Sequence, residues 1–480
     1  MELAIRLNMY YYRLLTILFS FFCAVCSAQK IQYSKSVLKT PGGGDMRLIA
    51  DVNGFHHLIH FSNVKKPVIH IFNDQLQLQA TRELNIRIAE NSNIRLLKVN
   101  DYYVLYTHTQ RPSQHQLLKI YGNGAVSDIS YLVNDPADSS WNKSKATFQL
   151  FNIDSSFFLV SHTYYNNIKK IKSTIVKLEP ERKAEVVTRL IFPFNIVTDQ
   201  LREATLSNNN LVIVKTSKDE TGTSILTLLK INCISGNILS KQFESGKYLY
   251  TSPTIRYNSA DSSMFIYSML QTPPGYRGAR PGVFMTHLDN SMNETTPISI
   301  IPDVFKNNTA SSFIVEKNKT NGWLHFSAAP TNRKTGVSVS KDIYSSLDPD
   351  FRYTQTYDYS YYTSAPTAVR MTLLNNKLEK EKDSLVKNNG SYYKIHPWPY
   401  AQFVMNNTPY LLLVQELVAK KRGLLLVYPN KDGYFNTLPV RVYDQFSFML
   451  SLLQSVGDSY FIVPFTNKTE MGLMKVSLNN

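Results

Sequence analysis

Short runs of apolar residues, each opened by a turn residue and closed by a polar residue, recur along this chain. One of them is "DSSFFLVSH" at residues 154–162. Seven further runs of the same order begin at residues 53, 100, 209, 261, 321, 408 and 457. Short apolar runs between turn residues, flanked by alternating segments, are typical of β-strands. The pattern therefore predicts a chain built from repeated strands.

Each run belongs to a larger repeating unit. An alternating strand and an Asn, Asp or Gly turn precede it, and a polar loop, a third strand and often a fourth strand follow it. Such turn residues tolerate the positive φ that tight hairpins need. Most neighbouring units begin about 46 to 59 residues apart, and four strands at this spacing are typical of a β-propeller blade.

The two ends of the chain complement each other. The chain ends on "LMKVSLNN", a third strand without a fourth, and "IQYSKSVLKT" at residues 31–40 is a lone alternating strand. Pairing of the two would remove an exposed sheet edge. Residues 29–480 resemble β-propeller repeat proteins in general, without a motif of a named subfamily. We predict an all-β fold, a single β-propeller of eight four-stranded blades (alternative seven), whose ring is closed by the N-terminal strand.

One gap between units is much longer than the others and lies between Trp323 and Tyr410. It is dense in tyrosine and contains the hairpin pattern "VRMTLL-NN-KLEKEKDSLV". We interpret this segment as an insertion with an extra hairpin around residues 353–400.

The first 28 residues have the layout of a secretory signal peptide. Arg6 and Arg13 precede an apolar run at residues 14–25, and Ala28 ends a small-residue cleavage site. The run is shorter than the roughly 20 apolar residues that span a bilayer, and no later segment is a transmembrane candidate. The prediction is an exported chain, secreted, periplasmic or at the cell surface. Lipoprotein anchoring at Cys26 is the alternative, although Val25 is bulky for such a site.

Composition adds two expectations. The chain has 30 Tyr and 25 Phe against 3 Trp, which favours sheet over helix. Of its 3 cysteines, only Cys233 remains after signal removal. An exported protein with one thiol has no internal disulfide, so its core must hold the fold. We expect Cys233 to be a buried thiol without chemistry.

The net charge of +16 favours an anionic partner. Acidic glycan, lipid headgroups and nucleic acid all qualify, but export makes nucleic acid the least suitable, and we predict no nucleic-acid partner. Most of the positive excess lies in the loops between second and third strands, which share one face of a propeller. We expect a basic face there, although exposed lysines that only aid solubility would give the same pattern.

Two segments on that face carry candidate ligand-binding residues. "TPPGYRGARPG" offers arginines, which form forked contacts with carboxylate or sulfate. "SYYKIHPWPY" offers aromatic rings of the kind that sugars stack against, although such rings could also wedge between blades. The candidates are Tyr276, Arg277, Arg280, Tyr392, Tyr393, His396, Trp398 and Tyr400.

Catalytic and metal-binding patterns are weak. Ser161 and His162 are adjacent on a strand and so lie on opposite faces, and Asp154 belongs to a turn. His56 and His60 share a face but stand about 13 Å apart, too far to bind one metal. We expect no metal site, no cofactor and no catalytic residue.

The main functional prediction is an exported, non-catalytic propeller that recognises an anionic glycan or a protein through its basic, aromatic-rimmed face. The first alternative is a lyase-type enzyme on acidic polysaccharide, with Tyr393 or His396 as base and Arg277 and Arg280 as the stabilising cations. The second is a structural subunit associated with the cell envelope.

Overall fold

The computed structural model describes residues 30–478 except for the segments 39–43, 63–65, 86–92, 100, 111–112, 132–145, 154–155, 166–167, 179–184, 208, 219–222, 247, 258–260, 272–281, 297, 303–310, 318–322, 330–333, 346–347, 363–367, 376, 388–399, 407, 417–421, 431–433, 443–445 and 468. The predicted signal peptide lies outside the described residues. Within the described part of the chain, no helix has the length and hydropathy of a membrane span.

Antiparallel strands make up almost all of the described chain. Two short strands come first, β1 (Lys30–Tyr33) and β2 (Val37–Leu38). Sheet 1 contains β3 (Gly44–Val52), β4 (Phe55–Ser62), β5 (Val68–Asn73) and β6 (Leu78–Glu83). Sheet 2 contains β7 (Asn93–Val99), β8 (Tyr102–Gln110), β9 (Ser113–Tyr121) and β10 (Val126–Tyr131). Sheet 3 contains β11 (Ala146–Ile153), β12 (Ser156–Tyr165), β13 (Lys170–Leu178) and β14 (Glu185–Pro193).

The same order continues through the second half. Sheet 4 contains β15 (Asp199–Ser207), β16 (Asn210–Lys218), β17 (Ser224–Asn232) and β18 (Ile238–Glu244). Sheet 5 contains β19 (Leu249–Tyr257), β20 (Met264–Gln271), β21 (Gly282–Leu288) and β22 (Ser299–Pro302). In sheet 6, β23 (Ser311–Lys317) and β24 (Trp323–Ala329) are separated in sequence, by β25 (Lys334–Ser345) and β26 (Asp348–Tyr362), from β27 (Ala368–Leu374) and β28 (Lys380–Lys387). Sheet 7 contains β29 (Tyr400–Met405), β30 (Thr408–Glu416), β31 (Arg422–Pro429) and β32 (Phe435–Arg441).

The last sheet, here called the closing sheet, joins the two ends of the chain. It contains β33 (Ser447–Phe448), a 3₁₀ turn (Leu450–Leu452), β34 (Gln454–Val456), β35 (Tyr460–Thr466) and β36 (Glu470–Ser477). Both β1 and β2 pair with β36, and the Ser34 backbone N–H donates to the Leu473 carbonyl at 2.9 Å. The predicted closure of the ring by the N-terminal strand is confirmed.

The first strands of neighbouring sheets contact one another, as in the pairs β3–β34, β7–β11, β11–β15, β15–β19 and β29–β34. The first strands therefore surround a common centre, the fourth strands lie outermost, and the chain is an all-β β-propeller. Seven sheets have the regular four-strand order, which agrees with the alternative of seven blades, and the main prediction of eight blades is not confirmed. The closing sheet is the irregular one, because its inner strand is split.

The hydrophobic core lies between neighbouring sheets. In β4, Leu58 packs toward the closing sheet while Ile59 packs toward sheet 2. Both faces of the second strands are thus covered, which explains why these strands read as continuous apolar runs.

The region predicted as an insertion around residues 353–400 is divided by the structure. The hairpin at "VRMTLL-NN-KLEKEKDSLV" forms as β27 and β28, but it completes sheet 6 by pairing with β24. The separate two-stranded hairpin is β25–β26, which begins earlier, at Lys334. Length alone could not tell which hairpin belongs to the sheet.

Replacing Gly472 by valine is expected to destabilise the closing sheet by about 1–3 kcal/mol. A Cβ atom at Gly472 would stand 2.5 Å from the Phe465 ring and 2.7 Å from the Ser34 hydroxyl, so β36 would have to move away from these two neighbours. Ser477→Val, on the same strand but half-buried, is the control. Urea denaturation measures both, and equal midpoints for the two variants would contradict the expectation.

Candidate functional site

Most of the predicted ligand-binding residues lie outside the described part of the chain. Tyr400 is the exception, since it begins β29 and pairs with Leu413. The predicted face therefore stays a prediction. The seven residues outside are Tyr276, Arg277, Arg280, Tyr392, Tyr393, His396 and Trp398.

The residues first considered for catalysis are structural where they are described. His162 is fully buried in β12, and its Nδ1 lies 2.7 Å from the Ser173 hydroxyl on β13. His57 contacts the Tyr103 hydroxyl and the Gly122 carbonyl of the neighbouring sheet. Burial lowers the pKa of both histidines to about 4, so they are neutral at pH 7. The described residues include no group of three or more metal-ligating side chains, and Asp154 lies outside them.

The inner strand of the closing sheet is split into β33 and β34 next to a proline of β35. The Leu473 N–H and carbonyl both point to Ser34, away from β35, so the backbone of its partner Pro464 points inward. The Pro464 carbonyl accepts the Met449 N–H at 2.8 Å, but proline offers no N–H in return. A continuous inner strand beside Pro464 would have one carbonyl that receives no hydrogen bond from β35. The 3₁₀ turn at residues 450–452 replaces this part of the strand.

A pocket of about 310 Å³ opens beside this interruption, between the closing sheet, β3 and β7. It is lined by residues of three neighbouring inner strands. Among the described residues that line it, none is acidic and none is aromatic. The lining residues are Arg47, Leu48, Ile49, Ile94, Arg95, Leu96, Ser451, Leu452, Leu453 and Gln454.

The Gln454 side chain fixes one wall of the pocket. Its Oε1 accepts the Ala50 N–H at 2.8 Å, and its Nε2 donates to the Leu48 carbonyl at 2.6 Å. The amide therefore links β34 to β3 as a strand would. Both ends of this amide are occupied, so Gln454 supports the wall instead of offering polar groups to a ligand.

Arg47 and Arg95 supply the charge of the pocket. Arg47 pairs with Ile59 and Arg95 pairs with Tyr106, so both lie about six residues from the hairpin turns of their sheets, at a similar height. Both side chains are exposed, and both residues line the pocket. The described lining of the pocket therefore carries positive charge.

The pocket opens near the face predicted to be basic. Gly44, where β3 begins, pairs with Ser62, the end of β4, so inner strands begin on the face that carries the second-to-third strand loops. Arg47 is three residues from that end, a depth of about 10 Å at ~3.3 Å per residue. A positive face at this entrance would concentrate anions beside the pocket.

Sequence reasoning missed both arginines because it looked only at loops. A signal was present, since β3 and β7 each carry a single arginine within an otherwise apolar stretch, "MRLI" and "IRLL". Arg202 occupies a comparable place in β15 and is also exposed. An arginine recurring at one position of a repeat marks a shared height in the ring.

No family model matches the chain, and no curated protein matches it. Solved structures match at low identity. The WD40 domain of SCAP from fission yeast is 10% identical, with 94% of this chain and 98% of that chain covered and a TM-score of 0.42. The β-propeller domain of the Trilobed protease from Pyrococcus furiosus is 9% identical, with 84% and 97% covered and a TM-score of 0.36.

A third match is an α-L-arabinofuranosidase from Fusarium graminearum, solved with an iminosugar inhibitor. It is 8% identical, with 69% of this chain and 93% of that chain covered and a TM-score of 0.31. Likeness at this level carries no information on ligand or activity. By its own strand order and ring closure, this chain is a β-propeller repeat protein.

Proposed function

We propose that this chain is an exported, non-catalytic binding protein that captures an anionic partner in the pocket between β3, β7 and the closing sheet. The observation that carries the proposal is the presence of Arg47 and Arg95 in one pocket that has no acidic lining residue among those described. Charge-assisted hydrogen bonds from guanidinium to carboxylate or sulfate are among the stronger polar contacts. The excess of basic residues in the whole chain supports the same sign of partner.

Support for a binding role also comes from the chemistry that surrounds the pocket. The described histidines with lowered pKa values are buried within sheets, in second and third strands, and none of them lines the pocket. The lyase alternative depends on Tyr393, His396, Arg277 and Arg280, which lie outside the described residues, so it stays a prediction. Export likewise rests on the first 28 residues.

Reversing the charge of either pocket arginine is expected to weaken anion binding at least tenfold. Arg47→Glu and Arg95→Glu each remove charge-assisted contacts worth roughly 1.5–3 kcal/mol and add repulsion. Fluorescence anisotropy with a labelled polyglutamate peptide and a labelled polygalacturonate oligomer, at 50 and 300 mM NaCl, measures the effect. Binding of the wild-type chain should weaken with salt.

The control is Lys377→Glu, which makes the same charge change at an exposed turn of sheet 6. It should alter affinity by less than about threefold, because the charge is far from the pocket and screened. Wild-type protein that binds neither probe at low salt would refute the proposal. Equal weakening by all three variants would reduce it to a general effect of net charge.

A further inference from the structure

Most of the described residues that line the pocket are aliphatic. Leu48, Ile49, Ile94, Leu96, Leu452 and Leu453 contribute to the lining. Ser451 is the remaining polar residue, because the Gln454 amide is held at both ends by the backbone of β3. The described lining therefore contains two arginines, one serine hydroxyl and a largely apolar surface.

Such a lining suits one class of anion better than another. A sugar ring presents several hydroxyls that lose their water on burial and need partners, and each unmade hydrogen bond costs about 1–3 kcal/mol. Sugars also use aromatic rings for stacking, and the described lining has none. An aliphatic side chain next to a carboxylate needs only apolar contact and guanidinium, and both are present here.

The depth and size of the pocket favour a chain end over a continuous segment. The arginines lie about 10 Å inside the nearer end of the inner strands, a distance that three extended residues span. A terminus can enter once and stop, whereas a continuous segment would have to turn within the channel. A volume of about 310 Å³ is at the low end of small-ligand pockets, which hold roughly 300–1,000 Å³.

We propose that the pocket binds the carboxyl terminus of a partner polypeptide that ends in an aliphatic residue. The α-carboxylate would pair with Arg47 and Arg95, and the last side chain would lie against the leucine and isoleucine walls. This inference rests on the proposed anion-binding function and names the partner of the same site.

Two labelled pentapeptides test the inference directly with the mature protein. Both end in leucine, one as the free acid and one as the C-terminal amide, so they share shape and differ by one charge. Fluorescence anisotropy should show binding at least tenfold tighter for the acid, as expected for loss of a charge-assisted pair. A free-acid peptide that ends in glycine should bind about tenfold more weakly than the leucine peptide, because it leaves the apolar walls unfilled.

Pocket variants then locate the effect. Arg47→Gln and Arg95→Gln should each reduce the preference for the acid over the amide to less than about threefold. Ser451→Trp places a bulky ring at an exposed position on the pocket mouth and should block the peptide without disturbing the core. The Lys377→Glu variant serves again as the remote control.

The possible results distinguish failure of the peptide inference from failure of the proposed anion-binding function. Equal affinity for acid and amide, with a polygalacturonate oligomer that still binds in an arginine-dependent way, would overturn the peptide inference and leave anion binding standing. Failure of both the peptides and the oligomer to bind would overturn both. If the Arg47→Gln and Arg95→Gln variants bind the acid and the amide peptide as tightly as the wild-type chain does, the peptides bind at another site.

Discussion

Lowering the pH from 7.5 to 5 is expected to remove roughly 8 kcal/mol from the free energy of unfolding. His56, His57, His70 and His162 are buried, and each has a pKa lowered to about 4, chiefly by burial. In the unfolded chain each has a pKa near 6.5. The stabilisation is complete above pH 6.5 and is lost as pH falls toward 4, because in this range these histidines bind protons in the unfolded chain but stay neutral in the folded chain.

The groups around His56 show why burial dominates. Its Nδ1 accepts the Asp51 N–H at 3.0 Å, and its Nε2 lies 3.7 Å from the Asp74 carboxylate, which favours a proton. Lys475 disfavours one, and it holds the same carboxylate at 2.8 Å. The Tyr460 hydroxyl also donates to Asp74, at 2.6 Å. With its carboxylate partner already engaged, His56 gains little from protonation.

Calorimetric melting temperatures between pH 7.5 and 4.5 measure this loss. Because folded domains are stable by only about 5–15 kcal/mol, the transition should vanish near pH 4 to 5. His162→Asn keeps a polar atom near Ser173 and removes one of four titrating groups, so the slope of stability against pH should fall by about a quarter. A melting temperature at pH 5 within a few degrees of that at pH 7.5 would contradict the expectation.

Removing the N-terminal strand is expected to cost roughly 5–8 kcal/mol and to cause aggregation. A chain that starts at residue 39 instead of 29 loses Ile31, Tyr33 and Val37, which pack against the closing sheet and its neighbours. It also leaves β36 as an unpaired edge next to a cluster of buried side chains. The melting temperature should fall by roughly 10 °C, and light scattering should rise with concentration.

A synthetic peptide of residues 30–38 supplies the control. Added in excess, it should pair with β36 and recover part of the lost stability, in proportion to its concentration over its dissociation constant. A scrambled peptide of the same composition should not. Unchanged melting and scattering after the truncation would mean that β1 contributes little to ring closure.

Local pattern was sufficient to predict the strands and their grouping. "DSSFFLVSH" was interpreted as a strand, and β12 spans Ser156–Tyr165. The opposite orientation of Ser161 and His162 also follows from alternation alone, because adjacent residues of a strand lie on opposite faces. Ring closure could be predicted because the last unit lacked a strand and the first residues offered one. These features depend on neighbours in sequence or on a count of strands.

The pocket could not be predicted, because it depends on contacts between remote strands. Pro464 matters only because its backbone points inward, and that orientation follows from the pairing of Leu473 with Ser34. Arg47 and Arg95 share a site only because the ring sets their strands side by side. Loop composition, on which the predicted binding face was based, carries no information about the inner strands.

The closing sheet also sets an order of events in biosynthesis. Ser34 and Leu473, which bond to each other across the seam, are 439 residues apart in the chain. At a synthesis rate of about 5–20 residues per second, the first strand waits roughly 20 to 90 seconds for its partner. During that interval the ring cannot close. Its first strand then becomes the last to be placed.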